Sequence, residues 1–312
     1  MQGLDANLVH ETRPMSTTDA LPASVPASAA APAAAPGFWF RALRHPGFVI
    51  GGVLAALLVL AAAVSYVWTP WPVVEVNMAD KLLPPSWSHW FGADAFGRDV
   101  VSQLLVGARA SILVGIIAVG IGLVVGTALG LLASARRGWV EELVMRLADF
   151  TFAFPAILSA IMLTAVFGPG IVNAIIAIGI YNIPTFARIT RAAANAVWAR
   201  EFVLAARACG KSAWAITWQH ILPNIAAVLT VQATIRFAVA ILAEAALSYL
   251  GLGTQPPQPS WGRMLAEAQT LMFQAPLLAV WPGLAIALSV LGLNLLGDGL
   301  RDLLDPKLAR SR

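Results

Sequence analysis

The sequence predicts an all-α, polytopic membrane protein with six transmembrane helices and both termini in the cytoplasm. Three observations carry this. Of 312 residues, 59% are hydrophobic and only 12% charged, with a mean hydropathy of +0.76, whereas a soluble domain averages roughly 25% charged residues. The apolar residues gather in runs of the length that crosses a bilayer, about 20 residues per helix. The charges lie between those runs and are asymmetric from one loop to the next. This composition excludes a soluble enzyme or a nucleic-acid binder. The single cysteine, Cys209, excludes an internal disulfide framework, and His10, His45, His89 and His220 have no metal-ligand spacing. No catalytic, cofactor-binding or metal-ligating residue is expected.

Residues 1–40 form an Ala-, Pro-, Ser- and Thr-rich tail whose composition cannot offset its ordering entropy, so it reads as disordered. The first apolar run starts near Phe48 and is too long for the h-region of a signal peptide. Residues 41–69 therefore hold the first span, with its apolar part at 48–68, and 70–109 an exterior, periplasmic segment. The rest, 110–312, is one transmembrane domain. Its spans are expected at 110–134, about 150–168, 170–187, 225–248 and 275–297. Pro155 is expected to be tolerated inside the third, because neighbouring helices can satisfy the freed carbonyl. Gly168, Pro169 and Gly170 make the turn into the fourth. Gly122, Gly126 and Gly130 recur every four residues and let another helix approach closely.

The basic residues set the orientation. Arg13, Arg41, Arg44, Arg136, Arg137, Arg146, the five of the loop 188–224, and Arg301, Lys307, Arg310 and Arg312 put fifteen of twenty on one side. By the positive-inside rule that side is cytoplasmic. Lys81, Arg98, Arg109 and Arg263 remain outside, and Arg236 lies within a span. Trp68, Trp71, Trp139 and Trp198 then fall at the membrane interfaces, where indoles are favoured.

The cytoplasmic loop 188–224 is too apolar for a free linker and too charged for a span. At about 100° per residue, Arg200, Arg207 and Lys211 share one side, with Trp198, Phe202, Ala205, Cys209, Ala213 and Ile216 opposite. Gly210 divides the stretch into two short helices, and Pro223 limits continuation into the fifth span. Residues 205–212 (AARACGKS) echo a P-loop, but Ala205 replaces its first glycine and no strand is expected before it. No nucleotide site is therefore expected in this chain.

Ala205, Ala206, Gly210 and Leu222-Pro223 resemble the EAA signature of importer-type ABC transporter permeases, with Leu204 in place of its Glu and His220 where many members carry Ile. The segments FRALRHPGF (40–48), GADAFGRDVVSQLLVGAR (92–109), EFVLAARACG (201–210), HILPN (220–224), LAEAALSYLGLGTQPPQPSWG (242–262) and NLLGDGLRDLLDPKL (294–308) are similar to the C-type subunits of dipeptide and oligopeptide permeases. The resemblance implies a type I ABC importer permease fold in the bacterial inner membrane. It also implies that the chain is half of a heterodimeric pore, paired with a homologous permease. Further implied partners are one or two ABC ATPase subunits, which bind the ATP and Mg²⁺, a periplasmic substrate-binding protein and membrane lipid; no nucleic acid is implied. Arg200, Glu201, Phe202, Ala205, Ala206, Arg207, Gly210 and Lys211 become the residues that couple to the ATPase. The solute is left open among dipeptides, longer peptides, glutathione, nickel chelates and opines.

Within the membrane, a cation such as Arg236 costs about 2.5–3.5 kcal/mol on insertion scales and so faces protein or water. It is either on the solute path, meeting a carboxylate, or paired at the interface with the second permease. Glu244 is expected to hold the outer end of the fifth span, and Asp149, Asn173, Asn182 and Asn294 to hydrogen-bond between helices. A secondary transporter or channel relaying ions through Asp149, Arg236 and Glu244 is the alternative class. An intramembrane enzyme is disfavoured, since neither G-x-S-x-G nor H-E-x-x-H occurs.

Overall fold

In a computed structural model that describes residues 38–304, ten helices account for most of the chain and no named strand occurs among the described residues. Residues 1–37 of the expected disordered tail, and the C-terminal Lys307, Arg310 and Arg312, lie outside that range. The expected tail extends too far, because Phe38, Trp39 and Phe40 already belong to helix α1 (Phe38–Arg44). A kink at His45 leads into α2 (Pro46–Val67), where the imidazole accepts the Phe48 amide at 3.2 Å and Pro46 fills the first turn.

The second span is longer than its apolar stretch. Helix α3 runs from Val100 to Arg136, about 55 Å at 1.5 Å per residue, and so projects beyond a hydrocarbon core of about 30 Å. Asp99 starts it by accepting from the Ser102 amide and hydroxyl at 2.8 Å each. The segment between the first two spans therefore ends at Asp99, not at 109: polar residues inside a helix lower the hydropathy without ending the hydrogen-bond ladder.

The expected third span is broken. Helices α4 (Trp139–Phe152) and α5 (Ala156–Phe167) meet at 82° around Pro155. Pro155 has no N–H to donate and restricts the residue before it, and here the restriction prevails over span continuity. Helix α6 (Ile171–Trp198) contains Pro184 without breaking. Next come α7 (Glu201–Ala208), α8 (Ala213–Tyr249), α9 (Trp261–Ala268) and α10 (Leu277–Leu304). Helix α8 overrides the expected stop at Pro223. A π-turn over Thr217–Ile221 precedes the proline, which sits where its missing N–H is accommodated. Among the described residues five helices are long and apolar enough to cross a membrane, or six if the bent pair α4–α5 counts as one span.

Packing depends on small residues, as expected where water does not drive helices together. A Cβ on Gly126 would meet the Ile183 carbonyl and Phe186, and one on Gly130 the Ala187 carbonyl and Thr190, so α3 lies directly on α6. Gly51 and Gly292 bring α2 and α10 together in the same way. Residues 68–99 form an ordered cap. His89 is buried with its ring stacked on Trp71 at 5.0 Å and its Nδ1 3.0 Å from Asp99 Oδ1. Arg98 bridges Asp94 and Glu267 at 2.7 Å each, tying the cap to α9.

Candidate functional site

The loop expected to couple is helix, turn, helix. Glu201 in the first turn of α7 complements its dipole, and Arg200 is the exposed residue just before it. At its end Gly210 has φ +80°, a region open to glycine, with its amide on the Arg207 carbonyl at 2.9 Å and the Lys211 amide on Ala206 at 3.2 Å. That pair of bonds is a Schellman cap. Residues 205–212 are thus the last turn of α7 and its cap, a different geometry from a phosphate cradle. Ser212 then caps α8 by accepting the Ala215 amide at 3.2 Å.

Two side chains seat α7, Val203 and the half-buried Ala206. Val203 is fully buried beside Trp198, Ile216 and Ile221, while Phe202 is 41% and Leu204 54% exposed. Ala205, Cys209 and Gly210 are exposed as well, and Ala206 is half-buried. The expected two-sided division fails in detail. Arg207 folds over the Trp198 ring at 4.8 Å, where the sequence placed them on opposite sides, because the helix breaks at Ala199–Arg200 and resets the angular phase. Trp198 is accordingly buried, not interfacial. Lys211, itself exposed, reaches back along the surface with Nζ to Gln219 Oε1 at 2.8 Å and His220 Nε2 at 3.1 Å. Ile216 is buried as expected, but Ala213 is exposed.

Sequence reasoning missed Val203, Leu204, Trp214 and Trp218. The two indoles meet edge to face at 5.7 Å and wall an apolar groove against Leu123–Leu132 of α3. Their four-residue spacing within AWAITW was the available signal.

Farther along α8, Arg236 lines a cleft between α5, α6 and α8 with Tyr181 and Asn182. Arg236 Nε and the Asn182 amide nitrogen are buried without a hydrogen-bond partner, and Arg236 has no carboxylate partner among the described residues. Asn182 therefore does not make the interhelical bond expected of it. Asp149 does, pairing with Arg188, while Arg191 and Glu141 add a second α4–α6 pair at 2.8 Å. Asn173 closes the turn before α6 through the carbonyls of Phe167 and Gly168. Glu244 is fully buried and accepts from Ser248 at 2.7 Å and Thr254 at 3.4 Å, pinning the turn after α8. Asp149, Arg236 and Glu244 make no direct hydrogen bond with one another among the described residues.

Residues 122–310 match the family described as binding-protein-dependent transport system inner membrane component. The glutathione transport system permease protein GsiD of Pectobacterium atrosepticum is 43% identical over 272 residues, 87% of this chain and 90% of that protein. The dipeptide transport system permease protein DppC of Alkalihalophilus pseudofirmus is 44% identical over 260 residues, 83% of this chain and 86% of that protein. Among solved structures, a chain of the MetNI methionine ABC transporter shares the fold with a TM-score of 0.55 at 18% identity, over 65% of this chain and 97% of that one.

Proposed function

This chain belongs to the family of binding-protein-dependent transport system inner membrane components, and on that premise we propose that it forms half of a heterodimeric, ATP-driven import pore for peptides or peptide-like solutes. A homologous permease supplies the other half, one or two ABC ATPases bind ATP and Mg²⁺, and a periplasmic binding protein delivers solute. The observation that carries this reading is the surface of α7. Phe202 and Leu204 stand exposed on a short helix held to the core chiefly by Val203, which is apolar surface arranged for a partner. Phe202, Ala205 and Ala206 seat in the ATPase, and Gly210 lets the chain turn closely enough to fit. Arg200 and Glu201 lie at the rim of this contact, while Arg207 and Lys211, themselves exposed, brace it through Trp198 and His220.

Closure of the ATPases pushes α7, and the push reaches the spans through the continuous Ala213–Tyr249 helix, which carries Arg236. The unpartnered Arg236 and Asn182 donors line the solute path and receive a carboxylate in passing. The α7 end faces the cytoplasm and the 68–99 cap faces the binding protein. ATP-dependent uptake by the reconstituted four-component assembly tests the reading. Solute movement through this chain alone, without ATPases, overturns it in favour of a secondary transporter.

A further inference from the structure

A pocket of about 510 Å³ opens near the 68–99 cap, apart from the Arg236 cleft and from α7. Its size falls within the range of roughly 300–1,000 Å³ typical of small-ligand sites. It is walled by the end of α2, the outer part of α3, the start of α6 and the turn 254–259. Arg109 is the one charged residue in its lining. The guanidinium is held in place on two sides: Nε donates to Ser65 Oγ at 2.6 Å, and the group lies over the Tyr66 ring at 4.1 Å. Ser65 is itself buried and donates to the Ala62 carbonyl at 2.6 Å. The terminal nitrogens of Arg109 have no hydrogen-bond or carboxylate partner among the described residues, so an oriented cation faces an open pocket.

Position identifies what the cation meets. Arg109 lies where the apolar stretch of α3 begins, which is headgroup depth, over the exposed ring of Tyr66. From it Ala110 and Leu113 continue the wall along α3 into the hydrocarbon, and Leu113 is 45% exposed. Asn173, Gln255 and Gln258 supply neutral polar groups to the lining. We propose that this pocket holds one phospholipid, its phosphodiester on the Arg109 guanidinium and an acyl chain along Ala110 and Leu113. A solute carboxylate shares the phosphate's chemistry, but a small polar solute would leave the apolar wall unfilled.

The experiment uses the assembled importer in vesicles of phosphatidylethanolamine and phosphatidylglycerol that contain a diazirine-bearing phosphatidylethanolamine. Photolabel is expected on the 106–113 peptide, falling at least about fivefold in Arg109→Gln and less in Arg109→Lys, which keeps the charge but not the Ser65 and Tyr66 contacts, with assembly and basal ATPase unchanged. Leu113→Trp, which blocks the acyl wall and leaves the Ser65–Arg109–Tyr66 contact intact, gives the same fall and serves if Arg109→Gln does not assemble. Equal labelling of wild type and variants overturns the proposal. Loss of label from the wild type when solute-loaded binding protein is added overturns it too, and makes the pocket a solute site.

Discussion

Gly210 and Arg236 show how much rests on single positions. At φ +80° a β-branched residue is strained by about 1–2 kcal/mol or more. Gly210→Val is therefore expected to lower ATP-driven uptake about tenfold while the chain still inserts and pairs with its homologous permease, as co-purification and uptake together would show. Full uptake in that variant would remove Gly210 from the coupling contact. A charge-assisted hydrogen bond is worth about 1.5–3 kcal/mol, so Arg236→Gln is expected to slow uptake of a carboxylate-bearing solute about tenfold or more. Arg236→Lys should keep part of the rate, and binding-protein affinity should not change. If Arg236→Gln instead dissociates the two permeases, the residue is an interface pair. Gly210 was legible in the sequence because a glycine inside an amphipathic stretch has few other uses. The seat of Arg207 on Trp198 was not, since one irregular residue pair, Ala199–Arg200, shifts every later side chain around the axis.

At the scale of elements, α3 and α6 depend on backbone contact through Gly122, Gly126 and Gly130. Gly126→Leu pushes a side chain into the Ile183 carbonyl, and overpacking of this kind costs about 1–3 kcal/mol. Thermal unfolding of the detergent-solubilised chain should show that loss. Gly120→Leu is the control, because nothing lies within 4 Å of a Cβ there, and it should unfold like the wild type. Helix α7 offers a different kind of test. Phe202→Ala with Leu204→Ala removes exposed apolar surface without touching Val203, so the chain should fold normally and yet lose most of its co-purifying ATPase. The four-residue glycine repeat announced its own role, whereas the prolines misled. Pro155 divides α4 from α5 and Pro184 lies unbroken within α6, and both are prolines in apolar runs. What separates them is whether surrounding helices hold the backbone, and local sequence does not record that.

For the whole molecule, orientation can be read from the native thiol. Cys209 is the single cysteine and is exposed at the C-cap of α7. A membrane-impermeant maleimide should label it in inverted inner-membrane vesicles and not in intact spheroplasts, and assembled ATPase should protect it. Labelling from the spheroplast side would reverse the proposed topology. An all-helical chain with five to six candidate spans, and the approximate places of those spans, were legible in the sequence alone. They follow from transfer of side chains between water and hydrocarbon, which is nearly additive along the chain. Tertiary structure decided the bend at Pro155, the burial of Trp198, the contact of Lys211 with Gln219 and His220, and the gathering of Arg236, Tyr181 and Asn182 in one cleft. Each of these depends on which distant backbone stands nearby to supply or withhold a contact, and no local window of sequence carries that information.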